Sequence, residues 1–355
     1  MFSKLKALLD SFLEMGVPGY DILIQQDGKP IWRCQNGYSD LENKIPVSGD
    51  ERYNLYSCSK PVTVTAAMQL WERGLFHLED PLSLYLPEFA SMTVKTEDGV
   101  RPAKKQIRMR DLFTMTAGLT YDLHSPGLER ARTETQGRCP TRETMKYLAQ
   151  DPLAFEPGTR YNYSLCHDVL AAAVEVISGE KFEDYVRKHI FEPMGMHRSS
   201  FLLPESERDT LAPQYRFENG KAVRIGPHAI HVLGSDYASG GAGLVSTTED
   251  YIRFLEGLRT AQLLKPYTIR LMTTDQLTEE ERSSYGFLGR YGYGLGMRCP
   301  FPGLPCQDYG WDGAAGAFAG VDPSRRVTLY YAQHLLALPN VEQRHLIFPL
   351  LREIL

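Results

Sequence analysis

The sequence predicts an α+β protein in which an antiparallel sheet, flanked by N- and C-terminal helices, carries a mainly helical lobe at one side. The N-terminal part has the pattern of a helix followed by a hairpin, and the C-terminal part that of strands followed by a helix. The region between them has mostly helical periodicity. We therefore expect one two-lobed domain, with residues 1–62 and 230–355 in an α/β sheet lobe and residues 63–229 in a mainly helical lobe.

The first elements are an amphipathic helix and a hairpin. Apolar residues recur there at helical spacing and form one stripe: Leu5, Leu8, Leu9, Phe12 and Leu13. Residues 20–35 then read as two strands on either side of Asp27-Gly28, a dipeptide that favours the tight turn of a hairpin. The chain is thus predicted to open with helix, strand, turn and strand.

Helical patterns dominate the middle of the chain, and strand patterns return near its end. Residues 66–74 and 166–179 each end in a glycine, which is typical of a helix C-terminus. Residues 317–321 and 327–333 are apolar strand candidates that flank the turn "DPSRR". Residues 341–355 have the pattern of a closing helix.

Composition excludes several classes of protein. A chain of 355 residues with 43% hydrophobic content can bury a sizeable core, and a net charge of -5 without blocks of like charge does not suit nucleic acid or an anionic membrane. No window approaches the ~20 apolar residues that span a bilayer, and the N-terminus lacks the apolar core of a secretory signal. We expect a cytoplasmic protein without a membrane span that binds a small molecule.

The cysteines and histidines do not form a metal-binding pattern. Six cysteines are scattered without a Cys-x-x-Cys pair, which indicates free thiols rather than disulfides or a zinc site. The closest histidine pair, His228 and His231, has no acidic or cysteine ligands beside it and is read as a loop or core element. We expect neither a metal nor a cofactor.

Ser57 and Lys60 are the strongest candidates for chemistry. The pattern Ser-x-x-Lys occurs three times, but Ser3 lies at the N-terminus and Ser178 in a helix-ending Ser-Gly turn. Ser57 instead stands at the start of a buried helix, where Pro61 is tolerated and backbone N–H groups have no intrahelical partner. A spacing of three puts both side chains on one face at the positive end of the helix dipole. These are requirements of an activated nucleophile and half an oxyanion hole.

A serine nucleophile also needs a base that accepts its proton. A Gly-x-Ser-x-Gly elbow, which would indicate the usual histidine arrangement, does not occur in the chain. Lysine or tyrosine must serve instead, and either could if its surroundings lowered its pKa towards neutrality. Tyr163, which follows a Pro157-Gly158 turn and precedes a helix, is the tyrosine candidate.

Three motifs in this order resemble the serine β-lactamase-like superfamily, nearest to class C β-lactamases, D-alanyl carboxypeptidases and related carboxylesterases. Residues 57–61 (SCSKP) match the family's Ser-x-x-Lys helix, residues 163–165 (YSL) its Tyr-x-Asn loop, and residues 311–313 (WDG) its Lys/His-Thr-Gly strand. The likeness runs from about Val17 to Asp322 and implies the β-lactamase/transpeptidase-like fold.

The resemblance implies a role for each matched residue. Ser57 would be the nucleophile, Lys60 and Tyr163 the proton-transfer pair, and the backbone N–H groups of Ser57 and Ala314 the oxyanion hole. His167 could face such a site, but four residues after Tyr163 a position on the helix surface is favoured.

The positions that would meet the substrate depart from the family pattern. Leu165 replaces an asparagine that binds an amide, and Trp311 replaces the cation that meets the carboxylate of a β-lactam or a D-alanyl peptide. Similar tryptophan-glycine versions occur in β-lactamase-like esterases and in acyltransferases of statin biosynthesis. Asp312, beside Gly313, either points into the cleft or pairs with an arginine such as Arg298.

The leading hypothesis is a metal-free serine hydrolase that forms a covalent acyl-enzyme, as a carboxylesterase or acyltransferase on neutral esters. One alternative is a β-lactamase or D-amino-acid peptidase that binds its carboxylate through another cation. The other is a catalytically silent penicillin-binding or scaffold protein, against which the retention of Ser57, Lys60 and Tyr163 argues. The partner expected on the leading hypothesis is a small-molecule ester or acyl substrate.

Overall fold

The computed structural model describes residues 1–226, 233–287 and 289–355. The strands are β1 Gly19–Gln26, β2 Lys29–Asp40, β3 Ile45–Pro46, β4 Tyr53–Asn54, β5 Thr93–Thr96, β6 Gly99–Pro102, β7 Gln214–Glu218, β8 Lys221–Ile225, β9 Val245–Ser246, β10 Gly292–Tyr293, β11 Arg298–Cys299, β12 Tyr309–Asp312, β13 Phe318–Asp322, β14 Val327–Ala332 and β15 Leu335–Leu336. The helices are α1 Ser3–Glu14, α2 Ser59–Glu72, α3 Met109–Phe113, α4 Pro126–Glu134, α5 Thr141–Leu148, α6 Cys166–Ser178, α7 Phe182–Val186, α8 Glu192–Met194, α9 Thr248–Arg259, α10 Pro266–Met272, α11 Glu279–Arg282, α12 Val341–Arg344 and α13 Ile347–Ile354.

One large sheet joins the two ends of the chain. Within the described residues it has eight strands in the order β10-β11-β12-β13-β14-β1-β2-β3, and each neighbouring pair is antiparallel. Strand β1 pairs with β14, so that Ile24 stands opposite Leu329. The predicted α+β fold with an antiparallel sheet built from both ends is confirmed.

The N-terminal hairpin forms where Asp27-Gly28 predicts it. Both residues have positive φ, 52° for Asp27 and 74° for Gly28, as the tight turn between β1 and β2 requires. The glycine takes this conformation without steric cost because it has no Cβ. A register shift between Ile24 and Gln25 interrupts the ladder near the turn.

The central strands of the sheet, β1, β13 and β14, are buried on both faces. Ile22 and Ile24 of β1 belong to a cluster with side chains of α1 and α13, whereas Leu23 between them belongs to the main core with α2, α6 and α9. Burial on both faces explains why Ile22, Leu23 and Ile24 are three consecutive apolar residues instead of alternating with polar ones. The sheet is therefore the layer between the terminal helices and the rest of the protein.

The region between the sheet halves is mainly helical, with two short hairpins, β5–β6 and β7–β8. Helix α6 ends at Ser178, and Gly179 caps it with a left-handed φ of 75°, as the sequence predicts. The predicted lobe boundary between 229 and 230 and the pair His228 and His231 lie in residues 227–232, outside the described residues.

The predicted closing helix is two helices, α12 and α13, separated at His345 and Leu346. Pro349 explains the break, because proline is tolerated only where its missing N–H has no intrahelical partner. Starting α13 at Ile347 places Pro349 in the first turn. The corner between the two helices brings His345 to the cleft described below.

Three further findings concern the described residues. No helix in them has the length and apolar character needed to cross a membrane. No group of three or more histidine, cysteine, aspartate or glutamate side chains is arranged there to hold a metal ion. All six cysteines are unpaired thiols.

Truncating Ile24 tests the central position of β1. Ile24→Ala should lower the free energy of unfolding by about 2 to 5 kcal/mol, because Ile24 is fully buried between the sheet and the terminal helices. The matched control Ile45→Ala removes the same atoms from a side chain that is 51% exposed, and should change stability by less than about 0.5 kcal/mol. Equilibrium unfolding in urea measures both; equal losses would contradict the assignment.

Candidate active site

Ser57 lies in a single turn of 3-10 helix, Tyr56–Cys58, directly before α2. Its side chain is partly exposed, while Cys58 and Ser59 beside it are fully buried. Tyr56 has a φ of 47°, which is unfavourable for a bulky side chain, and it is held there in a fully buried position. The chain therefore enters the helix through a strained residue that precedes the candidate nucleophile.

Lys60 is fully buried and its ammonium group is saturated with acceptors. Its Nζ donates to Ser57 Oγ at 3.2 Å, to the Tyr121 hydroxyl at 3.4 Å and to the Gly241 carbonyl at 2.7 Å. The Nζ also lies 4.4 Å from the ring centroid of Tyr163. Three donors matched to three acceptors are what a protonated lysine requires.

The electrostatics of the pocket favour this charged form. Burial alone lowers the pKa of Lys60, but the phenols of Tyr121 and Tyr163 and the carboxylate of Asp168 outweigh it, so that the pKa lies above its ordinary value of 10.5. The sequence left open whether lysine or tyrosine is the base. A raised pKa makes Lys60 an ammonium group at neutral pH, and a protonated amine cannot accept a proton from Ser57.

Tyr163 stands at the cleft with its hydroxyl held by Trp311. The indole Nε1 of Trp311 donates to the Tyr163 hydroxyl at 3.1 Å, and the two rings are stacked with centroids 5.9 Å apart. On the other side, Tyr163 stacks on Tyr121 at 5.7 Å. The bond from Trp311 leaves the phenol oxygen as an acceptor and fixes its position above Lys60.

An open cleft of about 570 Å³ contains Ser57 and Tyr163. Its walls are aromatic and apolar on one side and carry charged groups at the rim, and the lining residues include Phe287, Arg290, Tyr291, Trp311, Asp312, Gly313, Ala314, Leu338, Val341, Glu342, Arg344 and His345. Most of the predicted substrate-facing positions are therefore at this cleft. Its size and apolar wall suit a small organic ligand.

Two predicted positions need correction. Leu165 does not line the cleft; it is 2% exposed and packs in the main core just before α6, as expected of an apolar side chain in a place where the family has an amide. His167 is not on the helix surface but fully buried, since the side of α6 that carries it packs against α2. Burial and the charge of Lys60 hold the pKa of His167 well below its ordinary value, so the ring is neutral.

Asp312 both faces the cleft and pairs with Arg298, the two alternatives that the sequence left open. It lines the cleft, and its Oδ1 accepts a bond of 2.6 Å from Arg298 Nη1. Arg298 itself is 2% exposed and is also bound to Asp308 and to the carbonyl of Ala319. His345 Nε2 lies 3.7 Å from the other oxygen of Asp312, and burial lowers the pKa of that imidazole.

Gly313 brings the end of β12 against the turn that carries Ser57. A Cβ on Gly313 would lie 2.5 Å from the carbonyl oxygen of Leu55, a distance that no side chain could occupy. The close approach puts Ala314 at the cleft beside Ser57. The two backbone N–H groups assigned to the oxyanion hole therefore belong to segments that touch.

Two groups at the site were not predicted from the sequence. Tyr121 is one of 20 tyrosines, and nothing in its local pattern sets it apart. Asp168 is fully buried and accepts from Ser239 Oγ at 2.6 Å and from the Tyr237 hydroxyl at 2.9 Å. Its place in the first turn of α6, five residues after Tyr163, was the one available indication.

Comparison with known proteins identifies the family of the chain. The sequence model of a family described as Beta-lactamase matches residues 5–347, nearly the whole chain. This chain belongs to the beta-lactamase family.

The proteins similar to this beta-lactamase-family chain include an esterase and a hydrolase. A protein of Mycobacterium tuberculosis is 30% identical over 343 residues, which cover 88% of this chain and 84% of that protein. Esterase EstB of Burkholderia gladioli is 30% identical over 290 residues, 75% of this chain and 72% of EstB. Among solved structures, EstCE1, a hydrolase with promiscuous acyltransferase activity, has a TM-score of 0.80 and 25% identity, and the match covers 99% of this chain and 97% of EstCE1.

The geometry also separates the three Ser-x-x-Lys patterns of this beta-lactamase-family chain. Ser178 Oγ is bound to the carbonyl of Val174 at 2.6 Å, at the end of α6. Ser3 is the exposed first residue of α1. Only the pair of Ser57 and Lys60 is joined by a hydrogen bond in a cleft, among these three pairs.

Adding one methyl group to Gly313 tests the close approach. Gly313→Ala should slow the labelling of Ser57 by a fluorophosphonate about 10²-fold, because the new Cβ forces the segment of Ala314 away from Ser57. The matched control Gly226→Ala adds the same group where no atom lies within 4 Å, and should label at the wild-type rate. Intact-mass kinetics measure both rates; equal rates would remove Ala314 from the oxyanion hole.

Proposed function

We propose that this protein is a serine hydrolase that forms a covalent acyl-enzyme and acts on neutral esters, as a carboxylesterase or as an acyltransferase. The observation that carries the proposal is the contact between Trp311 and Tyr163. An indole occupies the place of a cation, and its N–H is already used by the Tyr163 hydroxyl. The position therefore offers an apolar face to the substrate instead of a charge.

Most of the described cations near the cleft are held by other groups. Arg298 does not line it and is bound to Asp308 and Asp312. Arg290 pairs with Glu342 at the rim. Arg344 is buried and its Nη1 donates to the carbonyls of Gly316 and Ala317, although its Nε has no hydrogen-bond partner among the described residues. A substrate carboxylate would have to be desolvated and compete with these contacts for a cation, which costs free energy that a neutral ester does not need.

The proposed reaction starts with attack by Ser57 Oγ on the ester carbonyl carbon. Tyr163 acts in its deprotonated form, whose negative charge the Lys60 ammonium group stabilises, and its phenolate oxygen accepts the Ser57 proton. The backbone N–H groups of Ser57 and Ala314 hold the oxyanion of the tetrahedral intermediate. As the carbon–oxygen bond to the alcohol breaks, Tyr163 returns the proton to the departing oxygen.

The second half of the reaction repeats the first with a different nucleophile. Water or an acceptor alcohol gives its proton to Tyr163 and attacks the acyl carbon, and the bond to Ser57 Oγ breaks as the proton passes to that oxygen. Water yields the free acid and restores the enzyme, whereas an alcohol yields a new ester. The names of EstB and EstCE1, an esterase and a hydrolase with promiscuous acyltransferase activity, support both outcomes.

A comparison of substrates tests the class of substrate. The value of kcat/KM for p-nitrophenyl butyrate should exceed that for nitrocefin by about 10-fold or more, because one unmade charge-assisted bond to the nitrocefin carboxylate costs roughly 1.5 to 3 kcal/mol. Trp311→Lys should narrow this ratio by supplying a cation and removing apolar contact. A wild-type protein that hydrolyses nitrocefin as efficiently as the ester would be a β-lactamase, and the proposal would fail.

Substitutions at the centre test the assigned roles. Ser57→Ala should abolish both turnover and covalent labelling, and Tyr163→Phe should lower kcat about 10²-fold or more because the proton acceptor is lost. Tyr161→Phe is a matched control, since Tyr161 is buried two residues earlier and does not line the cleft; it should retain kcat. Steady-state kinetics measure kcat for each variant, and peptide mapping locates the fluorophosphonate adduct. A label on Ser3, Ser178 or Ser239 would overturn the assignment of Ser57.

A further inference from the structure

A lysine ammonium group that water does not reach needs a negative charge nearby. Lys60 is fully buried, and its three direct acceptors, Ser57 Oγ, the Tyr121 hydroxyl and the Gly241 carbonyl, are neutral dipoles. Dipoles satisfy the donors, but an uncompensated buried charge remains costly. The proposed reaction depends on this charge, so the group that compensates it affects catalysis.

The titratable groups that face Lys60 come from α2, α6 and the loops beside them. Those that interact with its charge are Cys58, Tyr121, Tyr163, His167 and Asp168. Burial raises the pKa of the Cys58 thiol and of the Tyr121 phenol, so both are neutral at ordinary pH. Burial also lowers the pKa of His167, which is neutral too. Asp168 is the carboxylic acid of the group.

The surroundings of Asp168 favour its ionised carboxylate form although the residue is fully buried. Burial raises its pKa, but the bond from Ser239, the charge of Lys60 and the bond from Tyr237 oppose that rise. Both hydroxyls donate to the same oxygen, Oδ1, at 2.6 Å and 2.9 Å. The carboxylate also lies in the first turn of the 13-residue helix α6, where the helix dipole favours negative charge.

The second oxygen of Asp168 lies against the residue that holds Lys60. A Cβ on Gly241 would stand 2.5 Å from Asp168 Oδ2, so the backbone of Gly241 is packed directly on the carboxylate. The carbonyl of the same residue accepts the shortest bond from Lys60 Nζ, 2.7 Å. Gly241 thus separates the anion from the cation by the width of one residue.

We propose that Asp168 is a positioning residue for Lys60: it compensates the buried ammonium charge through Gly241 and fixes the turn around residues 239–243 that supplies the carbonyl acceptor. The inference rests on the proposed function, in which a charged Lys60 stabilises the deprotonated form of Tyr163. Asp168 is not among the residues that line the cleft, so we expect no direct contact between it and a substrate. Its effect passes through Lys60.

Asp168→Asn removes the charge, keeps the shape and tests the inference. With protein labelled with ¹³C at lysine Cε, the Lys60 signal is assigned by its loss in Lys60→Arg, and its pH titration is followed. Removing a neighbouring negative charge disfavours the ammonium form, so the Lys60 titration should move to lower pH by about 1 unit or more. Because the turn that supplies the Gly241 carbonyl is then no longer fixed by the carboxylate, the rate at which a fluorophosphonate labels Ser57 at neutral pH should also fall about 10-fold or more.

Asp250→Asn is the matched control. Asp250 is also a buried carboxylate that accepts from a serine hydroxyl, Ser199 Oγ at 3.0 Å, and from the backbone N–H of Arg198 at 2.7 Å, but it is not among the groups that interact with Lys60. This variant should lose thermal stability without moving the Lys60 titration. If both variants lower the melting temperature and neither moves the titration, Asp168 has only a structural role and the inference is wrong.

Ser239→Ala keeps the inference testable should Asp168→Asn fail to fold. It retains the carboxylate but removes its shortest hydrogen bond, which lets Asp168 take up a proton at higher pH. The loss of labelling on acidification should then begin at a higher pH than in the wild type, and an unchanged profile would overturn the inference. The NMR titration needs no substrate, so a wild-type protein that is not labelled at Ser57 would refute the proposed function separately.

Discussion

The candidate site depends on one constraint, a lysine ammonium group with no access to water. Each hydrogen of Lys60 Nζ needs an acceptor, and the three acceptors come from separate parts of the chain: the turn of Ser57 before α2, Tyr121 after α3, and Gly241 before β9. None of these segments can satisfy the lysine alone. The arrangement of the helical region against the sheet lobe is therefore a condition for keeping the charge inside the protein, and the position of Ser57 follows from it.

The wall of the cleft is held from behind by a second buried set of charges. Arg298 joins Asp312 at the end of β12 to Asp308, and Arg352 of α13 donates to Asp308 and to Asp322. Charges paired in this way fix geometry more reliably than they add stability. Asp312 is therefore held at the cleft by the protein itself, and α13 contributes through these charges to the placement of the neighbouring Trp311.

Local pattern was enough to predict the hairpin at Asp27-Gly28, the end of α6 at Gly179 and the meeting of Ser57 with Lys60, because each depends on neighbouring residues. Contacts across long sequence separations were not predictable in this way. Asp168 is surrounded by Ser239, which donates a hydrogen bond to it, and by Gly241, which packs on it. Both lie some seventy residues later in the chain, and no spacing rule connects them to Asp168. The error at His167 has the same origin: periodicity gives the side of a helix, but only the packing of α2 on α6 decides whether that side meets solvent.

The order of strands has a consequence for how the protein is made. Strand β1 ends at Gln26, but its partner β14 begins only at Val327, about 300 residues later. At roughly 5 to 20 residues per second, a ribosome needs on the order of 15 to 60 s to close that interval. During this time Ile22, Leu23 and Ile24 have no β14 to pair with, so the nascent chain must shelter one edge of an apolar strand, by transient association with α1 or with a chaperone, until β14 emerges.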